Sequence, residues 1–172
     1  MLPEDPTIAY GKQPPEISHL KEEFSGGPLT NDINFDVSAL SEGKRAAELL
    51  TTIYQQKFGF NACIARCFSF VGPGLPLDIH YAVGNFIRDG LKGGPIIIKG
   101  DGTTIRSYLY ADDLSEWIWK ILIDGKSGKA YNVGSNNAIS IANLAKLVSN
   151  CFDNKPKIKI ENKSNGIFDS YV

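Results

Sequence analysis

From Ala39 to Phe58 the chain carries one broad apolar stripe, built from Leu40, Ala46, Ala47, Leu49, Leu50, Ile53, Tyr54 and Phe58 among good helix formers. Gly59 stops that helix. After a short loop comes Ala62–Phe70, a nearly continuous apolar run and the pattern of a strand buried on both faces. Helix, short loop and doubly buried strand make half of a doubly wound α/β unit, so the chain is expected to be α/β.

The remaining elements alternate in the same way. Asp36 or Ser38 is placed to cap the first helix. Gly72-Pro73-Gly74-Leu75-Pro76 is a loop, and a helix is expected from about Ile79 to Leu91, closed by Gly93-Gly94. Pro95–Lys99 reads as a strand, Gly100-Asp101-Gly102 as a tight turn, and Ser107–Tyr110 as a second extended piece, with Tyr108 and Tyr110 in the core of a small sheet. Asp112 or Asp113 caps a helix to about Ile123, with Leu114, Trp117, Ile118, Ile121 and Leu122 as its core face. Ala130–Val133 is a strand. Ser140 caps a helix that places Ile141, Leu144, Ala145, Val148 and Phe152 on one face, and Lys157–Ile160 alternates as a half-exposed strand. No closing element is expected after it.

Composition narrows the functional classes. With 172 residues, 42% apolar residues, 22% charged residues and a net charge of −1, one ordinary soluble domain with a real core is expected. That charge balance gives no electrostatic reason to bind nucleic acid or a membrane. Cys63, Cys67 and Cys151 show neither metal-ligand spacing nor an even disulfide set, and the first two are expected to be buried thiols. No metal site is expected. No run approaches the roughly 18–20 apolar residues of a membrane span, and Met1 begins no signal-peptide pattern. A reducing cytoplasm fits these features.

The uncommon feature is an order of motifs. Gly100-Asp101-Gly102-Thr103-Thr104-Ile105-Arg106-Ser107-Tyr108-Leu109-Tyr110-Ala111-Asp112-Asp113-Leu114 is followed by Tyr131-Asn132-Val133-Gly134, and preceded by Ala65-Arg66-Cys67-Phe68-Ser69-Phe70-Val71-Gly72-Pro73. This order resembles the C-terminal portion of the extended short-chain dehydrogenases, the NAD-dependent epimerases and dehydratases of nucleotide-sugars, with a dTDP-glucose 4,6-dehydratase-like character. The resemblance implies the C-terminal part of a Rossmann-like doubly wound fold plus a small α/β substrate-binding subdomain. Residues 1–37, rich in Pro, Gly, Asp and Glu with few apolar pairs, read as an irregular N-terminal segment, and the resemblance implies 38–172 as a partial Rossmann core with the interleaved subdomain.

It also implies roles. Lys44 stands four residues after Leu40, at the spacing where the family holds a catalytic Tyr and a Lys that contacts the cofactor ribose. Lys44 is therefore a catalytic and cofactor-binding candidate, whereas Leu40 carries no proton and excludes acid/base work at the Tyr position. Alternatively Lys44 is a solvated surface lysine. Ser69 falls where the family often has a substrate-touching Asn, and one hydroxyl still donates and accepts a hydrogen bond; the alternative is an ordinary strand exit. Asn85 falls on the helix that contributes to the nucleotide pocket. Arg106 matches the family Arg on the substrate diphosphate, for which a planar guanidinium is suited; the alternative is a salt bridge to Asp112 or Asp113. Asn132 is placed to assist it.

Two signatures are missing from these 172 residues: a Gly-x-Gly-x-x-Gly turn after a first strand, and the acidic residue after the second. Tyr10-Gly11-Lys12-Gln13-Pro14-Pro15 resembles the family stretch after a catalytic Ser or Thr, but that position holds Pro6, with Thr7 one place off. NAD is therefore the cofactor of a complete family enzyme and is not expected on this chain alone. One expectation is an enzyme fragment, of lyase or isomerase type, for a UDP- or dTDP-hexose and inactive by itself. The other is a complete, non-catalytic nucleotide-sugar-binding or protein-interaction module. With half of the family fold absent from these residues, a dimer or higher homo-oligomer is expected, through Leu40, Leu49, Leu50, Ile53 and neighbours, by pairing of an open strand edge, or by exchange of the N-terminal segment; alternatively residues 1–37 fold back over the gap.

Overall fold

In a computed structural model, residues 19, 21–22, 35–79, 81–162 and 170–171 are described. Helix α1 spans Phe35–Phe58, four residues longer at its start than the apolar stripe suggests, so Asp36 and Ser38 lie inside it rather than capping it. Gly59 ends it at φ +72°, its N–H donating to the Gln55 carbonyl at 2.9 Å. Most of the irregular segment expected over 1–37, with Pro6 and Thr7, lies outside the described residues.

The single long strand expected over 62–70 is two strands, β1 (Ile64–Cys67) and β2 (Ser69–Val71). β1 pairs in parallel with β5 (Ala130–Val133), whereas β2 pairs in parallel with β4 (Ile105–Tyr110). Phe68 joins the two ladders. It is buried, and its N–H still donates to the Val133 carbonyl at 2.9 Å before the chain crosses to β4. β1 is only half-buried, because among the described residues its ladder has two strands and little covers it. For the same reason Cys63 is half-buried and Cys67 exposed, against the expectation of buried thiols.

Helix α2 (Ala82–Leu91) follows the Gly-Pro-Gly loop and leads to β3 (Ile96–Ile98). The Gly-Asp-Gly turn then reverses the chain. Gly102 takes φ +81°, and Asp101 Oδ1 accepts from the Thr103 N–H at 2.9 Å and its hydroxyl at 2.7 Å. β4 lies centrally in its sheet: β6 (Ala138–Ser140) pairs antiparallel over Ile105–Ser107, and β8 (Ser170–Tyr171) pairs in parallel over Ile105–Arg106. β8 is a closing element that the sequence did not reveal, since two residues are too few to show periodicity. Helix α4 (Ile141–Asn150) and β7 (Ile158–Ile160) complete the order, β7 pairing in parallel with β3.

The core lies in this second half. Val83 and Phe86 of α2, Ile96 and Ile98 of β3, and Leu144, Ala145 and Val148 of α4 form one buried cluster, with Tyr108, Ile139, Phe152 and Ile158 packed against it. Tyr108 is thus core, as expected, but Tyr110 is exposed. Helix α3 (Ala111–Asp124) departs most from expectation: none of its residues is buried, and Trp117, Ile118 and Leu122 of its supposed core face are exposed. Amphipathicity shows that a face is apolar; it does not supply the surface that covers it. Asp112 and Asp113 sit in the first turn of α3, where they favour the helix dipole, and the capping position is Tyr110 without a side-chain bond.

Candidate functional site at the carboxyl ends of β1 and β5

α1 is fixed to β1 by two charged side chains. Arg66 Nε donates to Glu48 Oε1 at 2.9 Å and Nη2 to Oε2 at 2.8 Å, and the two side chains keep 18% and 22% exposure, which shields the pair from most solvent. Arg66 Nη1 also donates to the Glu22 carbonyl at 2.9 Å. Glu22 Oε1 in turn accepts from the backbone N–H of Asn132 at 3.1 Å, and His19 Nε2 lies 3.2 Å from the Asn136 carbonyl. The described part of the N-terminal segment therefore lies along β5 and the loop beyond it.

Lys44 is exposed on α1, one turn before Glu48. Partial burial holds the Cys67 thiol above its usual value, and the Lys44 ammonium pulls it partly back. Gln55 of α1 donates to Ser127 Oγ, which also accepts the Ala62 N–H just before β1, while Glu48 meets Arg66, so α1 runs antiparallel to β1 and Lys44, one turn before Glu48, lies toward the carboxyl end of the strand. Ser69 follows two residues after Cys67, and Asn132 is opposite Arg66 across the β1–β5 ladder. Lys44, Ser69 and Asn132 therefore gather around the carboxyl ends of two parallel strands. Leu40 lies one turn before Lys44 on α1, and its side chain is outside the described residues.

Arg106 belongs to the adjoining ladder. Ser69 is in register with Tyr108, so Arg106 lies two residues further back along β4, on the same face as Tyr108. Arg106 is half-buried, and Nη1 donates to the Ile105 carbonyl at 2.8 Å. Asn85 sits on α2, where its Oδ1 accepts from Arg88 Nη1 at 2.8 Å, and Arg88 is paired with Asp89 at 2.9 Å. Its carboxamide oxygen is thereby engaged within the helix.

Two glycines that follow these strands, Gly72 and Gly134, are packed closely against protein. A side chain on Gly72 would strike Ala111 at the start of α3, and one on Gly134 would come within 3.0 Å of Phe68. Among the described residues no strand runs through a glycine turn directly into a helix, so they do not form a pyrophosphate cradle for NAD. No group of described His, Cys, Asp and Glu side chains is placed to hold a metal. No described helix is long and apolar enough to cross a membrane. An open groove of about 470 Å³ lies between α1 and the β1–β5 ladder, lined by Arg45, Glu48, Leu49 and Thr52 of α1 with Ile64, Arg66, Gly128 and Ala130. None of the site residues expected from the sequence lines it.

The Glu48–Arg66–Glu22 chain of contacts escaped the sequence reading. One signal was available: Arg66 is the lone charge in an apolar strand, and such a charge needs a partner.

Residues 8–134 match the family model described as NAD dependent epimerase/dehydratase family. The chain is 34% identical over 128 residues to UDP-glucuronic acid decarboxylase 4 of Arabidopsis thaliana, covering 74% of this chain and 28% of that protein. Its fold is that of Pal from Bacillus thuringiensis, with a TM-score of 0.77 and 24% identity over 96% of this chain and 50% of the other. The dTDP-glucose 4,6-dehydratase DesIV from Streptomyces venezuelae, solved with NAD and TYD bound, superposes with a TM-score of 0.74 and 21% identity over 95% of this chain and 48% of that one. The chain thus spans about half the length of the solved structures and less of the curated relative. Its Rossmann-like α/β architecture is established by these matches.

Proposed function

The chain belongs to the NAD-dependent epimerase/dehydratase family, and we propose that it supplies the nucleotide-sugar-binding part of such an enzyme and turns nothing over alone. The observation that carries this reading is the gathering of Lys44, Ser69 and Asn132 at the carboxyl ends of β1 and β5, with Arg106 on the adjoining β4. In open α/β sheets ligands bind outside those ends. The proposed ligand is a UDP- or dTDP-hexose, its diphosphate on Arg106 with Asn85 and Asn132 nearby.

In a complete enzyme NAD supplies the hydride chemistry of a lyase or isomerase. In this chain Lys44 is assigned to orient a ribose or sugar hydroxyl, and Leu40 at the family's Tyr position leaves no proton carrier there. We propose residues 38–172 as a partial Rossmann core with the interleaved subdomain and 1–37 as the N-terminal segment before it, of which Phe35 to Val37 already belong to α1. The three free cysteines fit a cytoplasmic setting, and the exposed Leu49, Leu50 and Ile53 of α1 fit a homo-oligomer. Leu40, Pro6 and Ser69 also favour a second reading, a non-catalytic nucleotide-sugar-binding module.

Titration calorimetry of UDP-glucose and dTDP-glucose against the wild-type chain and Arg106→Ala tests the binding common to both readings. Measurable binding that Arg106→Ala weakens supports it, and equal heats for the two proteins overturn it. Turnover of either sugar by the wild-type chain overturns both the inactivity and the alignment of α1.

A further inference from the structure

The geometry points to Arg66 as a positioning residue: its two-pronged bond to Glu48 holds α1 in the setting that keeps Lys44 at the carboxyl end of β1. This rests on the placement of the site given above and says what maintains it. Glu48 and Lys44 are one turn apart on α1, so they move as a unit. Holding the Glu48 carboxylate at both oxygens, 2.9 and 2.8 Å from Arg66, restrains how this turn of α1 sits over β1, while further along the helix Gln55 Nε2 donates to Ser127 Oγ at 2.5 Å. A planar fork against a planar carboxylate restrains that turn more than a single hydrogen bond does.

Arg66 ties in two further pieces of the same site. Its third nitrogen donates to the Glu22 carbonyl, and the Glu22 carboxylate accepts the N–H of Asn132, the residue in register with Arg66 itself. One guanidinium thus links α1, β1, the 21–22 segment and β5. The pair is mostly shielded, so it fixes geometry better than a mobile surface pair. The next residue after Arg66 is Cys67, whose exposed position makes it a built-in reporter of where Lys44 stands.

The test follows alkylation of Cys67 by iodoacetamide across pH in the full chain, with peptide mapping by mass spectrometry to separate it from Cys63 and Cys151. Lys44→Met should shift the Cys67 profile to higher pH, since a favourable cation is removed. Arg66→Lys keeps the charge and loses the fork, and should shift the profile the same way. Glu48→Gln is the sharper variant. Loss of an anion by itself shifts a thiol to lower pH, whereas loss of the Lys44 setting shifts it to higher pH. Arg66→Lys combined with Lys44→Met should shift no further than Lys44→Met alone.

An upward shift in Glu48→Gln and Arg66→Lys supports the role. A shift in Lys44→Met alone, with Arg66→Lys and Glu48→Gln unmoved or moved downward, overturns it and leaves the site where it is. An unmoved Lys44→Met profile removes Lys44 from the end of β1, which overturns the placement of the site as well. Should Arg66→Lys fail to fold, Glu48→Asp, shorter by one methylene, keeps the charge and decides the question with the same readout.

Discussion

The ring of Phe152 occupies the space in which a side chain on Gly90 would stand: a methyl group there would lie 2.5 Å from Cζ and 2.8 Å from Cδ2. This contact joins the end of α2 to the turn after α4, beside the buried cluster of Val83, Phe86 and Val148. Alanine in place of an interior helical glycine ordinarily gains about 1 kcal/mol. At Gly90 the overpacking term, about 1–3 kcal/mol, opposes and outweighs it. Gly90→Ala should therefore lower the urea midpoint. Adding Phe152→Leu should recover part of the loss, and a midpoint unchanged or raised by Gly90→Ala would contradict the contact.

Ser140 should be worth a cap. Its hydroxyl oxygen accepts from the Asn143 N–H at 3.3 Å at the start of α4. Ser140→Ala is expected to cost about 1 kcal/mol in chemical denaturation and Ser140→Asp close to nothing. Equal losses for the two would mean that the oxygen is not what stabilises the helix start.

For Arg106, a charge-assisted bidentate contact with a diphosphate is worth about 1.5–3 kcal/mol. Arg106→Ala should weaken UDP or dTDP binding by about ten-fold or more. Arg106→Lys should keep only part of the affinity, because a point charge replaces a fork.

NAD and NADP should give no saturable micromolar binding in calorimetry with this chain alone. The described residues form no pyrophosphate cradle, and a single ribose contact from Lys44 does not offset the entropy of association. Leu40→Tyr should create no turnover, because the cradle and the Ser/Thr partner at Pro6 are still wanting. Micromolar NAD binding would falsify the cofactor reading.

Association should be concentration-dependent. Leu49, Leu50, Ile53, Tyr54 and Phe58 on α1, and Trp117, Trp119, Leu122 and Ile123 on α3, all expose large apolar side chains. Light scattering should report a dimer or larger species that Ile53→Lys disfavours. A monomer of 18.8 kDa at every concentration would rule this out.

The parts of the site that could be read from sequence are those carried by local motifs. The resemblance singles out Lys44, Arg106 and Asn132 as proposed site residues, and the structure carries them on α1, β4 and β5, with β4 beginning two residues before the expected extended piece so that it includes Arg106. Glu48, Arg66 and Glu22 were not found, because their meeting depends on how α1 lies over β1 and on which residue of β5 faces Arg66. An ion pair across 18 residues and a guanidinium-to-backbone bond across 44 leave no periodic trace.

The sequence by itself determined the helices, the Gly-Asp-Gly turn, the Ser140 cap and the α/β class, since each depends on side-chain periodicity or on the backbone preference of one or two residues. Only the tertiary structure decided that Phe68 divides one apolar run between two ladders, that β3 finds β7 some sixty residues away, and that the apolar faces of α1 and α3 stand open. Strand pairing and burial are contests among distant surfaces, and an apolar residue reads the same in sequence whether or not anything covers it.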